Sequence, residues 1–235
     1  MSNFLDAKGS EQDETHWLSV SDLMAGLMIV FLFIAIALMR DAMIEKDKIK
    51  DVAVAYQENQ VAIFNALSNE FDRNLVEWDA SIEKDTLTFN FNSPDVLFST
   101  GEIELSNRYQ SLLSDFFPRY LNVLDSFKDS INEIRIEGHT SSVWNKYSTD
   151  TEAYFLNMKL SQGRTRAVLE YVYNLSAVER QQIWIKNNIA AVGLSSSKII
   201  LNENGDEDRG RSRRVTFRVI TNAEIKIRQI LDESR

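Results

Sequence analysis

The chain of 235 residues contains no cysteine, two histidines and two prolines. The absence of cysteine excludes disulfide frameworks, thiolate zinc sites and cysteine nucleophiles. His16 and His139 are too far apart in sequence to suggest a multi-histidine metal cluster. The formal net charge is −9, so the chain lacks the excess of basic residues on which nucleic-acid binding depends. We therefore predict no metal, no cofactor and no direct contact with nucleic acid.

One long apolar run, "WLSVSDLMAGLMIVFLFIAIALMR", lies near the N-terminus. Its seventeen uncharged residues from Leu23 to Met39 cover roughly 26 Å of α-helix, against a hydrocarbon core of about 30 Å. Because this run is slightly short, we predict that the transmembrane helix begins earlier and covers residues 17–40. A secretory signal peptide is the alternative, but the preceding "GSEQDETH" lacks the basic residues typical of one.

Asp22 lies near the front of this run, and two roles are open for it. Aspartate is a favoured helix N-cap, in which case the helix would begin at Leu23. If the span begins at Trp17, Asp22 lies roughly 8 Å inside it. A carboxylate in the membrane costs about 2.5–3.5 kcal/mol and normally faces protein or a water-filled path. We predict that Asp22 carries ions beside the hydroxyls of Ser19 and Ser21, which requires partner helices.

The basic residues around the span favour one orientation. Lys8 alone precedes the span, whereas Arg40, Lys46, Lys48 and Lys50 follow it. By the positive-inside rule, this count predicts a cytoplasmic C-terminal side.

The spacing of apolar residues in the segment 41–84 predicts a helical connector. Its apolar residues recur at spacings of three or four, with a polar gap around Gln60: Ile49, Val52, Tyr56, Ile63, Leu67, Phe71 and Leu75. Two interpretations are open. The connector is either an amphipathic helix that packs on its own domain or a short parallel coiled coil that pairs two subunits.

Residues 85–222 predict a domain of strands and helices, followed by a tail over residues 223–235. The segments "DTLTFNFNS", "NEIRIEGHT", "KIIL" and "RRVTFRVI" predict strands, with Ile134 and Ile136 on one face and a loop starting at Gly138. Helices are predicted over Asn107–Phe127 with a kink or break at Pro118, over about Ser161–Asn174, and over Ser176–Ala191. The predicted fold class is α+β: a single transmembrane helix, a helical connector and an α/β sandwich with one layer of helices.

Three motifs follow one another in this domain: "IEGHTSS", "LNMKLSQGRTRAVLEYV" and "GRSRRVTFRV". Their order resembles the OmpA-like peptidoglycan-binding domain over about Asp95 to Ile220. The resemblance implies that Asn157, Leu160 and Arg164 line a pocket for the diaminopimelate of the peptide stem. Ser141 stands where the family has an aspartate, so this position offers a hydrogen bond but no charge.

Several of these motif residues also have a purely structural interpretation. His139 is predicted to be a loop histidine hydrogen-bonded to backbone, and Arg164 is open to a salt bridge with a helix neighbour. Arg213 and Arg214 are predicted to be structural or surface charges. Glu137 and His139 share a strand face, but no nucleophile or second metal ligand accompanies them, so we predict no enzymatic activity.

The order of these parts resembles the MotB-like B subunits of motor stators. The W-x-x-x-x-D-L-M-x-x-L-M form of the span is nearer to the stator-like subunits of Zorya anti-phage defence systems. The resemblance implies an inner-membrane protein with a cytoplasmic N-terminus (residues 1–16) and a periplasmic C-terminal domain, contrary to the count of basic residues. It also implies a homodimer within a pentameric ring of a MotA-like or ZorA-like subunit, bound to peptidoglycan while protons or sodium ions pass Asp22. A flagellar-type stator and a passive peptidoglycan tether are the alternatives.

Overall fold

The computed structural model describes residues 7–92, 97–99 and 101–222, with the backbone alone over residues 7–19. Pro94 and the predicted tail over residues 223–235 lie outside the described residues. The chain divides into two compact units, one extending to Val52 and the other beginning at Ala53.

The predicted span lies inside a single long helix, α1 (Ala7–Leu75). Apolar side chains between Leu23 and Met39 are exposed in the isolated chain, including Leu23 and Phe33. Among the described residues, α1 is the one helix long and apolar enough to cross a membrane, by length and composition. The exposed apolar surface is what a lipid-facing or partner-facing helix requires.

The C-terminal part of α1 belongs to the core of the second unit. Ile63, Leu67 and Phe71 are fully buried, and the ring centroid of Phe71 lies 5.4 Å from that of Phe89. Arg119 holds this part of the helix, because its Nε lies 2.7 Å from Glu70 Oε1 and its guanidinium carbon lies 4.8 Å from the centroid of the Phe71 ring. The connector therefore packs on its own domain over Ile63–Leu75, the first of the two interpretations.

A five-stranded sheet forms the centre of the second unit, in the order β1-β2-β5-β3-β4. The strands are β1 (Ala80–Glu83), β2 (Thr88–Phe91), β3 (Ile131–His139), β4 (Ile189–Ser195) and β5 (Arg214–Thr221). Strands β3 and β4 are parallel, whereas the other neighbouring pairs are antiparallel. The parallel pair brings the carboxyl ends of β3 and β4 to the same edge of the sheet.

The other helices of the second unit are α2 (Asn107–Asp125), α3 (Asp150–Tyr173), α4 (Gln182–Asn188) and α5 (Arg209–Ser212). Two 3₁₀-helices cover Lys128–Ser130 and Ser176–Gln181. Phe116 of α2 packs on the sheet, with ring centroids 4.7 Å from Phe89, 5.1 Å from Phe91 and 5.1 Å from Phe217. The predicted α+β class is confirmed, as are the strands predicted around Phe89, Ile134 and Val215.

Two predictions within the connector and α2 are wrong. The connector was predicted to be helical to residue 84, but α1 ends at Leu75 and Ala80–Glu83 form the edge strand β1, which pairs with β2. A break at Pro118 does not occur, because α2 continues to Asp125. Proline removes one backbone donor, and the buried side chains on either side of it, Phe117 and Tyr120, hold the helix against the core.

Four further predictions are corrected around α3 and β4. Gly138 does not start a loop but lies inside β3. Helix α3 begins at Asp150 instead of Ser161, because Thr149 and Glu152 form a capping box. The helix predicted to reach Ala191 ends at Asn188, and Ile189–Ser195 form β4. "KIIL" is not a strand; it contributes an isolated bridge between Leu201 and Glu207, and Ile199 is exposed.

Candidate functional site

Asp22 lies well inside α1, in the membrane-type segment. Because α1 begins at Ala7, Asp22 is not an N-cap, so that interpretation of the carboxylate is wrong. Asp22 and Ser21 are exposed in the isolated chain. The backbone of Ser19 is helical, and its side chain lies outside the described residues. The helix thus places a carboxylate on the exposed surface of the segment that is long and apolar enough to cross a membrane.

A second group of predicted residues meets where β3 and β4 end. The backbone N–H of Thr140, directly after β3, donates a hydrogen bond to Ser195 O over 2.9 Å. Asn157 Nδ2 of α3 donates to Ser141 O over 3.0 Å, and both side chains are buried. The structure therefore brings Ser141 and Asn157 together. The Ser141 hydroxyl turns back to Val143 O, at 3.4 Å.

Arg164 lies on the same face of α3 as Asn157 and Leu160, at helical spacings of three and four. Its Nε donates to Glu102 O over 2.9 Å, and one Nη donates to Ser99 O over 3.1 Å. Its guanidinium carbon lies 4.6 Å from the centroid of the Phe98 ring. Arg164 is 8% exposed, and Leu160 is half-buried. The guanidinium therefore holds the Ser99 and Glu102 carbonyls against α3 and places a positive charge beside them.

Glu207 is a residue of this site that sequence reasoning missed. Its Oε1 accepts a hydrogen bond from the Ser142 N–H over 2.8 Å, and its Oε2 accepts one from Ser142 Oγ over 2.5 Å. A carboxylate thus binds Ser142, the residue that follows the position at which the motif offers no charge. The two residues are 65 positions apart, so no local pattern in the sequence identifies the pair.

Ser195 joins the end of β4 to both the loop and α3. Its backbone has a φ of 51°, in the left-handed region that non-glycine residues rarely adopt. Its hydroxyl donates to Tyr154 O over 2.7 Å, and its N–H donates to Ser161 Oγ over 3.1 Å. These bonds fix the start of α3 relative to Thr140 and offset the strained backbone.

Two glycines let α3 lie against the sheet. A Cβ atom on Gly138 would lie 2.8 Å from Ser161 O, and one on Gly193 would lie 2.4 Å from Gln162 N. Neither distance leaves room for a side chain. The glycine of the "GHT" motif therefore serves close packing of α3, which carries Asn157, Leu160 and Arg164.

His139 and Glu137 form a buried pair on the neighbouring part of β3. His139 Nε2 lies 3.6 Å from Glu137 Oε2. Burial lowers the pKa of His139, and the Glu137 carboxylate only partly opposes this shift. Burial opposes ionisation of Glu137, but His139, Arg218 and Arg135 together hold its pKa below the usual value. The prediction of a loop histidine bonded to backbone is wrong, since His139 lies in a strand and neither ring nitrogen has a hydrogen-bond partner among the described residues.

The two arginines of the third motif lie at the start of β5: Arg213 precedes the strand and Arg214 is its first residue. Arg214 donates from one Nη to Lys198 O and Ser212 O, each over 3.2 Å. Burial lowers the pKa of Arg214 from its usual value, although the group stays charged. Arg213, its neighbour, is half-buried.

An apolar helix joined to this α+β domain defines a class of membrane-anchored proteins with an OmpA-like domain. Residues 97–213 match the OmpA family. The Zorya protein ZorB of Escherichia coli is 56% identical over 223 residues, which cover 95% of this chain and 95% of the relative. The chain therefore belongs to the ZorB family, and the predicted resemblance is confirmed.

Two solved structures are also similar to the chain. A MotB-like protein from Desulfovibrio vulgaris is 23% identical, with a TM-score of 0.48, over 69% of this chain and 91% of that one. The cell wall anchor of the T6SS from Pseudomonas aeruginosa is 19% identical, with a TM-score of 0.45, over 66% of this chain and 96% of that one.

Proposed function

We propose that this chain is the peptidoglycan-anchored, stator-like subunit of an ion-driven inner-membrane motor used in anti-phage defence. The observation that carries the proposal is the similarity to ZorB over 95% of both chains. This match extends well beyond the residues that match the OmpA family, so it includes parts of α1 as well as the domain. The role is that of an anchored, ion-carrying subunit without enzymatic activity.

The orientation follows from the location of peptidoglycan. A domain that binds the cell wall must lie in the periplasm, and among the residues that the structure describes one membrane-type helix, α1, precedes it. The N-terminus then lies in the cytoplasm, contrary to the count of basic residues. The positive-inside rule is a statistical bias in translocation and does not set the orientation of every protein. Acidic residues near the span, such as Asp41, Asp47 and Asp51, have little weight in the rule and do not change its count.

The wall-binding pocket is proposed to be formed by Ser141, Asn157, Leu160 and Arg164. Asn157 shapes the loop by binding Ser141 O, and Arg164 binds the Ser99 and Glu102 carbonyls. Charge-assisted hydrogen bonds from a guanidinium to a carboxylate are among the strongest polar contacts. Arg164 therefore supplies the positive charge for a stem-peptide carboxylate, and Glu207 supplies a nearby negative charge for a stem-peptide ammonium.

Asp22, with Ser19 and Ser21 beside it, is proposed to carry protons or sodium ions through the membrane. A membrane potential contributes about 2.3 kcal/mol per charge for every 100 mV, which suffices to drive a repeated conformational step. One helix cannot enclose an ion path, and the exposed apolar residues of α1 require cover. We propose that two copies of the chain lie within a pentameric ring of a MotA-like or ZorA-like subunit.

The pocket is tested by comparing Arg164→Ala with Arg166→Ala in the full-length protein, purified in detergent and incubated with intact cell-wall sacculi. Arg166 is exposed on the same helix and serves as the matched control. Loss of a charge-assisted contact is expected to weaken binding by at least about tenfold. The control is expected to bind like the wild type.

Arg164 also packs against Phe98, so folding is followed by thermal unfolding of each variant. Arg164→Lys keeps the charge while losing the planar fork, and it is expected to show intermediate binding. Wild-type binding by a folded Arg164→Ala protein would refute the pocket.

The dimer is tested with single cysteines at Ile49, Val52 and Tyr56, one face of α1 at spacings of three and four. The native chain has no cysteine, so each variant carries one thiol. In membranes that contain the ring subunit, we expect disulfide-linked pairs of this chain, detected as a doubled mass without reductant. Asp51→Cys, on the opposite side of the helix, is the control. Absence of pairs at all three positions in an active complex would exclude a dimer through this face.

A further inference from the structure

Five exposed apolar side chains of the second unit fall within the short stretch from Val143 to Leu156, which follows the proposed pocket residue Ser141 in sequence. Trp144, Tyr147 and Phe155 are 37%, 82% and 64% exposed, and the apolar side chains of Val143 and Leu156 are exposed next to them in sequence. Large contiguous apolar patches on a protein surface mark binding sites. These three aromatic residues are named here the aromatic platform.

The platform is carried by an ordered loop. Asn145 Oδ1 accepts hydrogen bonds from the Tyr147 N–H over 2.8 Å and from the Ser148 N–H over 3.1 Å. Thr149 and Glu152 close the far end of the loop with the capping box of α3. Preorganised aromatic side chains lose little conformational entropy when a ligand binds. The loop therefore holds its aromatic side chains in position for a ligand.

The N-terminal end of the loop is also held by hydrogen bonds. Ser142 is bound by the Glu207 carboxylate through both its N–H and its hydroxyl. Lys146 Nζ lies 4.8 Å from the centroid of the Tyr147 ring, and the rings of Tyr154 and Phe155 meet edge to face at 5.4 Å. Trp144 and Tyr147 therefore extend from a segment held at both ends.

We propose that the aromatic platform stacks on the sugar rings of the glycan strand of peptidoglycan; this inference rests on the proposed wall-binding function. The apolar C–H faces of sugar rings fit flat aromatic rings, and the Lys146 ammonium, 4.8 Å from the centroid of the Tyr147 ring, can meet hydroxyl and carbonyl groups of the ligand. Tyrosine and tryptophan combine an apolar ring with a polar group, as such a mixed ligand requires.

Covalent geometry limits how far the glycan lies from a bound stem peptide. Each stem peptide is attached to a sugar, and an extended chain advances at most about 3.3–3.6 Å per residue. A stem residue held beside Ser141 therefore keeps its own sugar within about 3.3–3.6 Å for each stem residue that joins them. The platform starts at Trp144, three residues after Ser141, which puts it within reach of the glycan attached to a bound stem.

The test separates the two parts of the wall. Full-length protein in detergent is titrated with peptide-free glycan strands, with a soluble stem peptide, and with intact sacculi. We expect Tyr147→Ala and Phe155→Ala each to weaken glycan binding by about three- to tenfold, and Trp144→Ala to do the same. Stem-peptide binding is expected to stay at the wild-type value. Ile183→Ala removes an equally exposed apolar side chain from α4 and serves as the matched control.

The outcomes distinguish this proposal from the proposed function. Wild-type protein that binds the stem peptide but not peptide-free glycan overturns the platform and leaves wall binding in place. Platform variants that bind glycan like the wild type also overturn it. Altered oligomeric state in these variants, with unchanged glycan binding, assigns the surface to contact between copies and overturns the proposal. Wild-type protein that binds neither stem peptide nor sacculi refutes the proposed function itself.

Discussion

Asp22→Asn is expected to abolish ion-driven activity while the complex still assembles. Asparagine keeps nearly the volume of aspartate but cannot carry a charge or release a proton, so packing survives and ion transfer does not. Phage protection of cells and ion flux in reconstituted vesicles are the measurements, and both are expected to fall to the level of cells or vesicles without the chain. Asp22→Glu keeps the carboxylate and is expected to retain part of the activity.

Asp41→Asn is the matched control, because it makes the same change just beyond the apolar run. Its activity is expected to be that of the wild type. Co-purification with the ring subunit shows whether each variant assembles. Full activity of an assembled Asp22→Asn complex would remove the motor from consideration and leave the passive tether.

Gly193→Ala is expected to produce the largest loss of stability of any glycine-to-alanine change among the described residues of the second unit, since its Cβ would make the shortest contact. The new Cβ would lie 2.4 Å from the backbone nitrogen of Gln162 and 2.8 Å from its Cα, so α3 must move as a body. Overpacking of this kind costs about 1–3 kcal/mol or more. For a domain of this size, the midpoint of thermal unfolding is expected to fall by roughly 3–10 °C.

Gly210→Ala is the control for this substitution. Its Cβ would meet the carboxylate oxygen of Asp208 at 3.3 Å, a contact that a shift of a few tenths of an ångström relieves. Because α3 presents Asn157 and Arg164, Gly193→Ala is also expected to weaken binding to sacculi, whereas the control is not. An unchanged midpoint for Gly193→Ala would show that α3 is not held as closely to β4 as the structure indicates.

The sequence predicts the parts of the fold that have strong periodicity. Strands β3 and β5 alternate apolar residues with polar ones, and both predictions are confirmed. Strand β4 was missed because "IAAVGLS" is dominated by small residues, with little β-branched or aromatic content. Those small residues allow α3 to approach β4 closely. No local sequence pattern reveals this approach.

The candidate site is predictable to the same limited degree. The helix spacing places Asn157, Leu160 and Arg164 on one face without any structure. The early start of α3 also had a signal, since Thr149-x-x-Glu152 is a capping-box pattern. Glu207 had none, because its contact with Ser142 depends on the loop that follows β4 returning to the end of β3. Contacts of this kind are fixed by tertiary structure alone.

The burial of Ile63, Leu67 and Phe71 determines which fragment of the chain is a complete folding unit. A fragment cut at residue 85, the boundary suggested by the sequence, would lose these three core side chains together with the edge strand β1. It would also leave the β2 edge unpaired, and an exposed strand edge promotes aggregation. A fragment that keeps the second unit intact therefore has to begin before Ile63, and the compact unit itself begins at Ala53, so that the last turns of α1 are retained as part of the globular protein.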